Sequence, residues 1–448
     1  MSAISSLPGR FCPLVGTAAL CFASFTGSAV AATHCVNPGG KNGCSATISA
    51  AVSAASPGDV IQVWPGVYSE AVTINKSLSL LSAIPLAAVI DASNKPNGIW
   101  VDGLSAAPNP GIANVVISGF KVRDANFEGI LLTNASNVTV EGNAVIDNDR
   151  SLDYGSGTCP GIDTTFETNE GDDCGEGIHL MGIDHSTILR NEVAHNAGGI
   201  LISDESGPTT QNLISQNYVH DNVLDCGITL ASHGASTLIS GAPPAYGVTD
   251  NTISMNVSMG NGTQGAGAGV GIFAPFPGTT DSGNVVINNI LLNNGATGVA
   301  MHNHAYSPMA PPVNFNNNKI IGNEFSGNGP DNPGAPTSGP TGINVSSVAP
   351  ISGTVIEQNT FDNEAIDIGF TAPAGSQLDV HFNNFSKGTA IDNGGSGAVD
   401  ATEDWWGCPT GPGGKHCSAI QGSGVSSTPW LATPFATIPE LASRFFHR

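Results

Sequence analysis

The chain has 448 residues, of which 11% are charged and 40% are hydrophobic, and its formal net charge is −23. It is too apolar and too weakly charged to be disordered, so we expect a folded protein. Such an acidic surface repels nucleic acid and anionic membranes, which excludes both as partners.

Residues 1–32 have the features of a secretory signal. Arg10 precedes an apolar run too short to span a membrane, and the small residues of "SAVAA" are typical of a cleavage site. No later stretch reaches the length of a span, so we expect the mature protein to be soluble and secreted or periplasmic.

The cysteines outside this segment predict disulfides in an oxidising compartment, because six of them form three pairs that are close in sequence. Cys226 is left over, and we interpret it as a buried small hydrophobic residue. The pairs are Cys35 and Cys44, Cys159 and Cys174, and Cys408 and Cys417.

Residues 33–58 are predicted to cap the N-terminal end of the fold. The stretch "SATISAAVSAAS" at 45–56 has apolar residues at helical spacing, which suits an amphipathic helix that covers an apolar core.

A repeat follows, from about residue 129 to about residue 391. Each copy has a Gly-led strand, a polar turn, an apolar strand and Asn residues. The Gly-led strands include "GIHL" at 177, "GILI" at 199, "GITL" at 227 and "GVAM" at 298, and "AIDI" at 365 is read as an Ala-led copy. One Asn column contains Asn143, Asn191, Asn217, Asn256, Asn289, Asn323, Asn359 and Asn383, and in the first six copies another Asn follows five residues later.

This pattern predicts short parallel strands wound into stacked coils. Asn at the same turn of each coil can hydrogen-bond the Asn above and below, and it tolerates a left-handed backbone. Inward Ile, Val and Leu would form continuous apolar stacks. The sequence therefore resembles the secreted right-handed parallel β-helix superfamily of pectate lyases and polygalacturonases. The resemblance implies an all-β solenoid over residues 59–400.

Residues 401–448 resemble the closing segment of that superfamily, a Trp-rich cap. Trp405 and Trp406 are accordingly interpreted as cap packing rather than as sugar-binding platforms. With both ends capped, we expect a monomer, because uncovered sheet edges would promote association.

The insertions predict a groove over the Gly-led strands. Residues 150–175 and 328–341 precede such strands, and residues 234–247, 274–283 and 305–314 follow them. In repeat proteins such insertions gather on the binding face. Strand alternation turns the second, fourth and sixth residues after each Gly outward, and it places Phe273 outward as well.

The outward positions supply the candidate site residues. Glu205 and His233 fall in one column on consecutive coils, so we expect them to touch. Asp204 and Asp225 adjoin floor strands, and the H-x-H pair lies in "GVAMHNHAYSP". The acid–base candidates are His302, His304, His233, Glu205, Asp204 and Asp225, and the expected substrate contacts are His179, Ser203, Thr229, Asn344 and Tyr306.

The segment Gly171-Asp172-Asp173-Cys174 resembles the G-D-D-C of polygalacturonases. The G-H-G and R-x-K that accompany that motif are missing, so we interpret the match as coincidental. Binding of Ca²⁺ by Asp172 and Asp173 is the alternative.

Two functions remain open. The first is a carbohydrate-active enzyme, a polysaccharide lyase or glycoside hydrolase acting on an extended extracellular polysaccharide. A uronate lyase needs a base and a cation, here Ca²⁺, whereas a hydrolase needs paired carboxyls. The second is a non-catalytic copper-handling β-helix, which would resemble the periplasmic accessory family of nitrous oxide reductase. His and Met, which are suitable copper ligands, concentrate between residues 179 and 309.

Overall fold

A computed structural model describes residues 31–105, 111–149, 175–235, 241–275, 277–303, 312–332 and 335–436. The predicted right-handed parallel β-helix is confirmed, because strands pair in parallel with their counterparts one coil away. Successive strands of a coil lie on three faces, named here the glycine-led face, the second face and the third face.

The glycine-led face stacks the strands that carry the candidate residues. In chain order they are Val72–Ile74, Ile99–Asp102, the first part of Ile130–Glu141, Glu176–Asp184, Gly198–Ser203, Ile228–Ala231, Val270–Phe273, Val299–His302, Thr341–Ser346, Ile366–Thr371, Thr389–Asn393 and Ala419–Gly422.

The second face belongs to the same hydrogen-bonded sheet. Its strands are Thr33–Val36, Val60–Val63, Ser79–Ser82, Ile112–Ser118, the last part of Ile130–Glu141, Thr187–Leu189, Leu213–Ser215, Thr252–Ser254, Val285–Ile287, Lys319–Ile321, Thr354–Glu357, Gln377–His381, Ala398–Asp400 and Val425–Ser426. Three two-residue strands complete this sheet, namely Thr209–Thr210, Val248–Thr249 and Asp281–Ser282.

The third face is a separate sheet. It contains Gly66–Tyr68, Ala88–Asp91, Phe120–Arg123, Ala144–Ile146, Glu192–Ala194, Tyr218–His220, Val257–Met259, Ile290–Leu292, Glu324–Ser326 and Thr360–Asp362.

The core lies between the three faces. Alternate residues of each strand point inward, for example Ile200 and Ile202 on one coil and Ile228 and Leu230 on the next, and all four belong to one continuous apolar cluster. Each such side chain contributes about 1.5–3 kcal/mol through burial, so the stacked coils stabilise one another.

Both predicted Asn columns form hydrogen-bonded ladders. In the first, the backbone N–H and the Nδ2 group of Asn191 donate to Oδ1 of Asn217 at 2.9 and 3.0 Å. Asn217 donates to Asn256 in the same way, and the second column repeats the pattern from Asn148 to Asn328. Each buried amide thus joins two coils.

The expectation that ladder Asn residues take the left-handed conformation is wrong. The positive φ belongs to the residue before each ladder Asn, for example Arg190 (54°), Gln216 (56°) and Met255 (54°). The ladder Asn itself directs its side-chain amide toward the Asn of the next coil.

A third ladder was not anticipated. It joins Asn212, Asn251, Asn284 and Asn318 where the glycine-led face turns into the second face. Each member precedes a first-ladder Asn by five residues, so the same spacing contained the signal.

Glycine is required at the start of the glycine-led strands because neighbouring side chains leave no room for a Cβ atom at that turn. A Cβ on Gly177 would lie 2.3 Å from Val193 and 2.7 Å from Nδ2 of Asn196. The alignment of "AIDI" as an Ala-led copy is wrong, since Ile343 pairs with Ile368 and Asp367 therefore takes the glycine position.

The N-terminal region contains the 3₁₀ turn Lys41–Gly43 and the α-helix Ile48–Ala54. Thr47 caps the helix by accepting from the backbone N–H of Ala50, and Ile48, Ala51 and Val52 are buried. Across the described ranges, no helix is long and apolar enough to cross a membrane.

At the other end, Trp406 is fully buried, and its ring centre lies 4.9 Å from that of Phe385. The disulfides Cys35–Cys44 and Cys408–Cys417 are formed as predicted, whereas Cys159 and Cys174 lie outside the described residues.

Candidate functional site

The outward positions of the glycine-led face form two columns. His179, Leu201 and Thr229 stack in one, followed by Gly271, Ala300 and Asn344. The other column contains Met181, Ser203, Ala231, Phe273, His302 and Ser346. The predicted parity, including the outward direction of Phe273, is confirmed.

These side chains do not line an open groove in the described structure. His179, Glu205, His233 and His302 are each no more than 3% exposed. The chain that follows strand Val270–Phe273 stays close to the end of the preceding strand, where Thr280 donates its backbone N–H to Ser232 Oγ. Small apolar side chains fill the space between the polar groups, and they include Cys226, as expected.

Glu205 and His233 make the predicted contact. Nδ1 of His233 lies 2.8 Å from Oε1 of Glu205, and both side chains are buried. Burial alone would raise the pKa of Glu205, but the charge and hydrogen bond of His233, with smaller contributions from His179 and Ser203, lower it below its ordinary value. The pair therefore contains an ionised carboxylate that orients an imidazole.

Asp204 has a different environment. Its Oδ1 accepts the backbone N–H of His233 at 2.6 Å, and its Oδ2 accepts those of Tyr246 and Gly247 and the hydroxyl of Ser232. With both oxygens occupied, Asp204 anchors backbone rather than offering a free carboxyl to a substrate. Buried Asp281 lies close enough that its charge interacts with that of Asp204, and its Oδ1 accepts from Asn284 Nδ2 at 2.5 Å.

His302 belongs to a second polar cluster. Its Nε2 lies 3.2 Å from Oδ2 of Asp331, which also accepts from Nδ2 of Asn344 at 2.8 Å. The Phe273 ring lies 5.0 Å from the His302 ring, one coil toward His233. The structure therefore joins Asn344 to His302 and separates both from the Glu205–His233 pair.

Sequence reasoning missed Asp331, although it lies within the insertion at 328–341. That insertion was interpreted as a wall of the groove rather than as a source of side chains for the site.

His179 lies beside two glutamates that the sequence analysis missed and beside Ser203, which it named. Its Nδ1 lies 3.2 Å from Glu128 Oε1, and its Nε2 lies 2.8 Å from Ser203 Oγ. Glu176 completes this group. The available signal was an acidic residue immediately before Gly129 and again before Gly177.

Asp225 and Thr229 contact each other, since Thr229 Oγ1 lies 3.3 Å from Asp225 Oδ2. Asp225 is half-buried before its strand begins. Asp225 also lies near Glu176. Both residues are within contact distance of the position that a Cβ on Gly198 would occupy.

Several predicted residues lie outside the described part of the chain: His304, Tyr306, Asp172 and Asp173. The Met and His side chains proposed as copper ligands lie on different faces. Met301 is in the core, Met181 is on the glycine-led face, and Met259 is beside Tyr218 on the third face.

The comparisons with known proteins agree on the fold. The family description "Right handed beta helix region" matches residues 90–242. No curated protein matches the sequence. Among solved structures, the catalytic domain of a GH87 α-1,3-glucanase in complex with tetrasaccharides matches with a TM-score of 0.52 at 12% identity, covering 86% of this chain and 67% of that one.

Two further structures are similar at lower scores. The A-module of the Azotobacter vinelandii mannuronan C-5 epimerase AlgE4 has a TM-score of 0.46 and 15% identity, over 85% of this chain and 94% of the module. ORF18 of Geobacillus virus E2 matches with a TM-score of 0.48 and 14% identity. The match covers 79% of this chain and 57% of the viral protein. At these identities the similarity is one of fold.

Proposed function

We propose that this protein is an exported polysaccharide lyase that uses His233, held by Glu205, to remove a proton from its substrate. The observation that carries the proposal is the 2.8 Å contact between His233 Nδ1 and an ionised, buried Glu205. A carboxylate at one nitrogen orients the imidazole and makes the other nitrogen more basic, as general-base catalysis requires.

The arrangement of carboxyls favours elimination over hydrolysis. Glycoside hydrolysis needs two carboxyls facing a shared substrate, one to protonate the leaving oxygen and one to activate water or attack carbon. Here Asp204 is occupied by backbone donors and Glu205 by His233. In elimination, His233 takes the proton next to a uronate carbonyl, and the electron pair left behind forms a carbon–carbon double bond as the bond to the neighbouring sugar oxygen breaks. The leaving oxygen takes up a proton from water.

The substrate class follows from charge. A chain with a net charge of −23 repels polyanions, so a uronate whose carboxyl is esterified suits it better than a free polyuronate. An ester also needs less neutralisation than a carboxylate when negative charge develops beside it. The fold similarity to an α-1,3-glucanase supports a glycan as the substrate.

Export is part of the proposal. Its support is the signal-like segment 1–32 together with the disulfides Cys35–Cys44 and Cys408–Cys417, which suit an oxidising compartment. Because His233 is 1% exposed, catalysis further requires that the site open to admit substrate.

The test is a panel of esterified and free polyuronates and neutral glucans, read by absorbance at 235 nm and by new reducing ends. We expect both signals on an esterified polyuronate, and a loss of about 10²–10⁴-fold in His233→Gln and Glu205→Gln. His185→Gln is the control, since His185 is exposed on a turn and pairs only with its neighbour Asp184.

Reducing ends without absorbance at 235 nm would replace elimination by hydrolysis. Full activity in His233→Gln would remove His233 from the mechanism, and no cleavage of any glycan would overturn the proposal.

A further inference from the structure

Three buried side chains converge on the glycine-led face one coil before the Glu205–His233 pair. A carboxylate oxygen of Glu128, one of Glu176 and a ring nitrogen of His179 all lie within 4.8 Å of one another. Their exposed fractions are 0%, 1% and 0%. The atoms are therefore close enough to surround one small ion, and bulk water does not reach them.

The register of the β-helix forces the two carboxylates together. Glu128 immediately precedes Gly129, Glu176 immediately precedes Gly177, and Gly129 donates its backbone N–H to the carbonyl of Glu176. Two glutamates at one position of adjacent coils, shielded from water, favour a cation or a proton beside them. Later coils have Gly198, Cys226 and Ala268 at this position, so the pairing is confined to these two coils.

His179 is oriented as a ligand. Its Nε2 lies 2.8 Å from Ser203 Oγ, which turns Nδ1 toward the carboxylates, 3.2 Å from Glu128 Oε1. A ring whose far nitrogen is held by a hydrogen bond is typical of metal-ligating histidines.

The next coil leaves space for this group. A Cβ on Gly198 would lie 2.9 Å from Glu176 Oε1, so a side chain there would displace the carboxylate. The absence of a side chain at position 198 therefore keeps Glu176 directed at Glu128 and His179.

We propose that Glu128, Glu176 and His179 bind one divalent first-row transition metal ion, such as Mn²⁺ or Zn²⁺. Two carboxylates and one imidazole form a mixed oxygen and nitrogen set that suits these ions, whereas Ca²⁺ prefers oxygen ligands alone and Cu⁺ prefers sulfur. The ion would place positive charge between the two stacked glutamates. This inference does not rest on the proposed lyase activity, because it concerns binding.

The experiment is a titration of the purified, chelator-treated, dialysed protein with Mn²⁺, followed by the electron paramagnetic resonance of free Mn²⁺. We expect one site per chain and a higher Tm in the presence of the ion. In Glu128→Gln and Glu176→Gln the affinity should fall about 100-fold or more. Glu192→Gln is the matched control, because Glu192 also approaches a histidine, His220 at 3.6 Å, but is exposed on the third face.

The wild-type complex also gives a readout that needs no variant. Nitrogen-14 coupling from one imidazole in the pulsed spectrum of bound Mn²⁺ is expected if His179 is a ligand. Failure of the wild type to bind Mn²⁺ or Zn²⁺ would overturn the site and leave a His179 imidazolium shared between two glutamates. Unchanged affinity in both variants, or Ca²⁺ binding as tight as Mn²⁺ binding, would equally overturn it.

Discussion

Asp204 holds the chain that follows one coil against the glycine-led face. Both of its carboxylate oxygens accept hydrogen bonds, from the backbone of His233, Tyr246 and Gly247 and from Ser232 Oγ. Burial first, and then the charge of Glu205, raise its pKa to about 6. Because this value is above the ordinary one, the ionised form lowers stability at neutral pH, and that penalty disappears as the pH falls below about 6.

Replacement of Asp204 by Asn should destabilise the protein by about 2–3 kcal/mol at pH 7. The Asn side chain has one accepting oxygen where Asp204 has two. The donors that now contact the second oxygen would face an NH₂ group and remain unsatisfied. Denaturant unfolding measures this change. Asp184→Asn, at the partly exposed end of strand Glu176–Asp184, is the control and should cost less than about 0.5 kcal/mol. Equal effects of the two substitutions would contradict the anchoring role.

At the scale of elements, the Asn ladders hold the coils in register, and the two ladders predicted from the sequence each end in an acid. Asn383 donates to Asp404 Oδ1 at 3.0 Å, and Asn328 donates to Glu364 Oε1 at 2.9 Å. Burial raises the pKa of Asp404 well above its ordinary value, and it raises that of Glu364 to about 7. Beside Glu364, Asp367 occupies the glycine position, and burial raises its pKa to about 8. These carboxyls therefore gain protons on folding.

Removal of one ladder amide should be costly. Asn217 accepts from two groups of Asn191 and donates to Asn256 Oδ1 and the carbonyl of Ile188, so Asn217→Ala leaves buried partners unsatisfied. We expect a loss of about 3–4 kcal/mol in the free energy of unfolding. The control is Asn75→Ala at an exposed position, which should leave the free energy of unfolding almost unchanged. If both substitutions lower it by similar amounts, the ladder hydrogen bonds do not contribute more than an exposed Asn does.

The ladder end predicts a pH effect that one substitution removes. The pKa of Glu364 is raised from 4.5 to about 7, so its contribution falls as the pH rises through that range and stays low above pH 7. Glu364→Gln keeps the accepting oxygen, so its Tm should exceed that of the wild type by about 2–5 °C at pH 8 and match it at pH 4.

Thermal scans at the two pH values measure this difference. Glu324→Gln on the exposed third face serves as the reference and should change neither Tm. If Glu364→Gln shifts Tm by the same amount at both pH values, titration of Glu364 is not the cause.

At the scale of the whole molecule, net charge bears on the substrate proposed above. A net charge of −23 acts over about 10 Å at 0.1 M salt, farther than any single contact. This repulsion adds to the burial of the site and limits which polymers reach it.

The same polyuronate before and after saponification should therefore differ as a substrate by about 10-fold in kcat/KM, with the esterified form preferred. The difference arises partly from repulsion, so raising NaCl from 20 to 500 mM should narrow it mainly through faster reaction of the free acid. An esterified glucan without uronate is the control and should not be cleaved. A gap that salt leaves unchanged would assign the preference to local chemistry alone.

Local periodicity was enough to predict the fold and the direction of individual side chains. The glycine-led strands, the Asn spacing and the alternation of inward and outward residues recur in most coils, so the copies support one another. The Glu205–His233 contact could be predicted for the same reason, because the two residues share one column on consecutive coils.

Only the tertiary structure decided which side chains contact residues outside their own column and how deeply those side chains are buried. Glu128 reaches His179 across 51 positions, and Asp331 reaches His302 from an insertion, so no repeat relates these partners. The burial of the glycine-led face was equally invisible, because it depends on backbone segments that follow no period. Sequence determined the coil since the coil is periodic, whereas the candidate site depends on contacts that occur once.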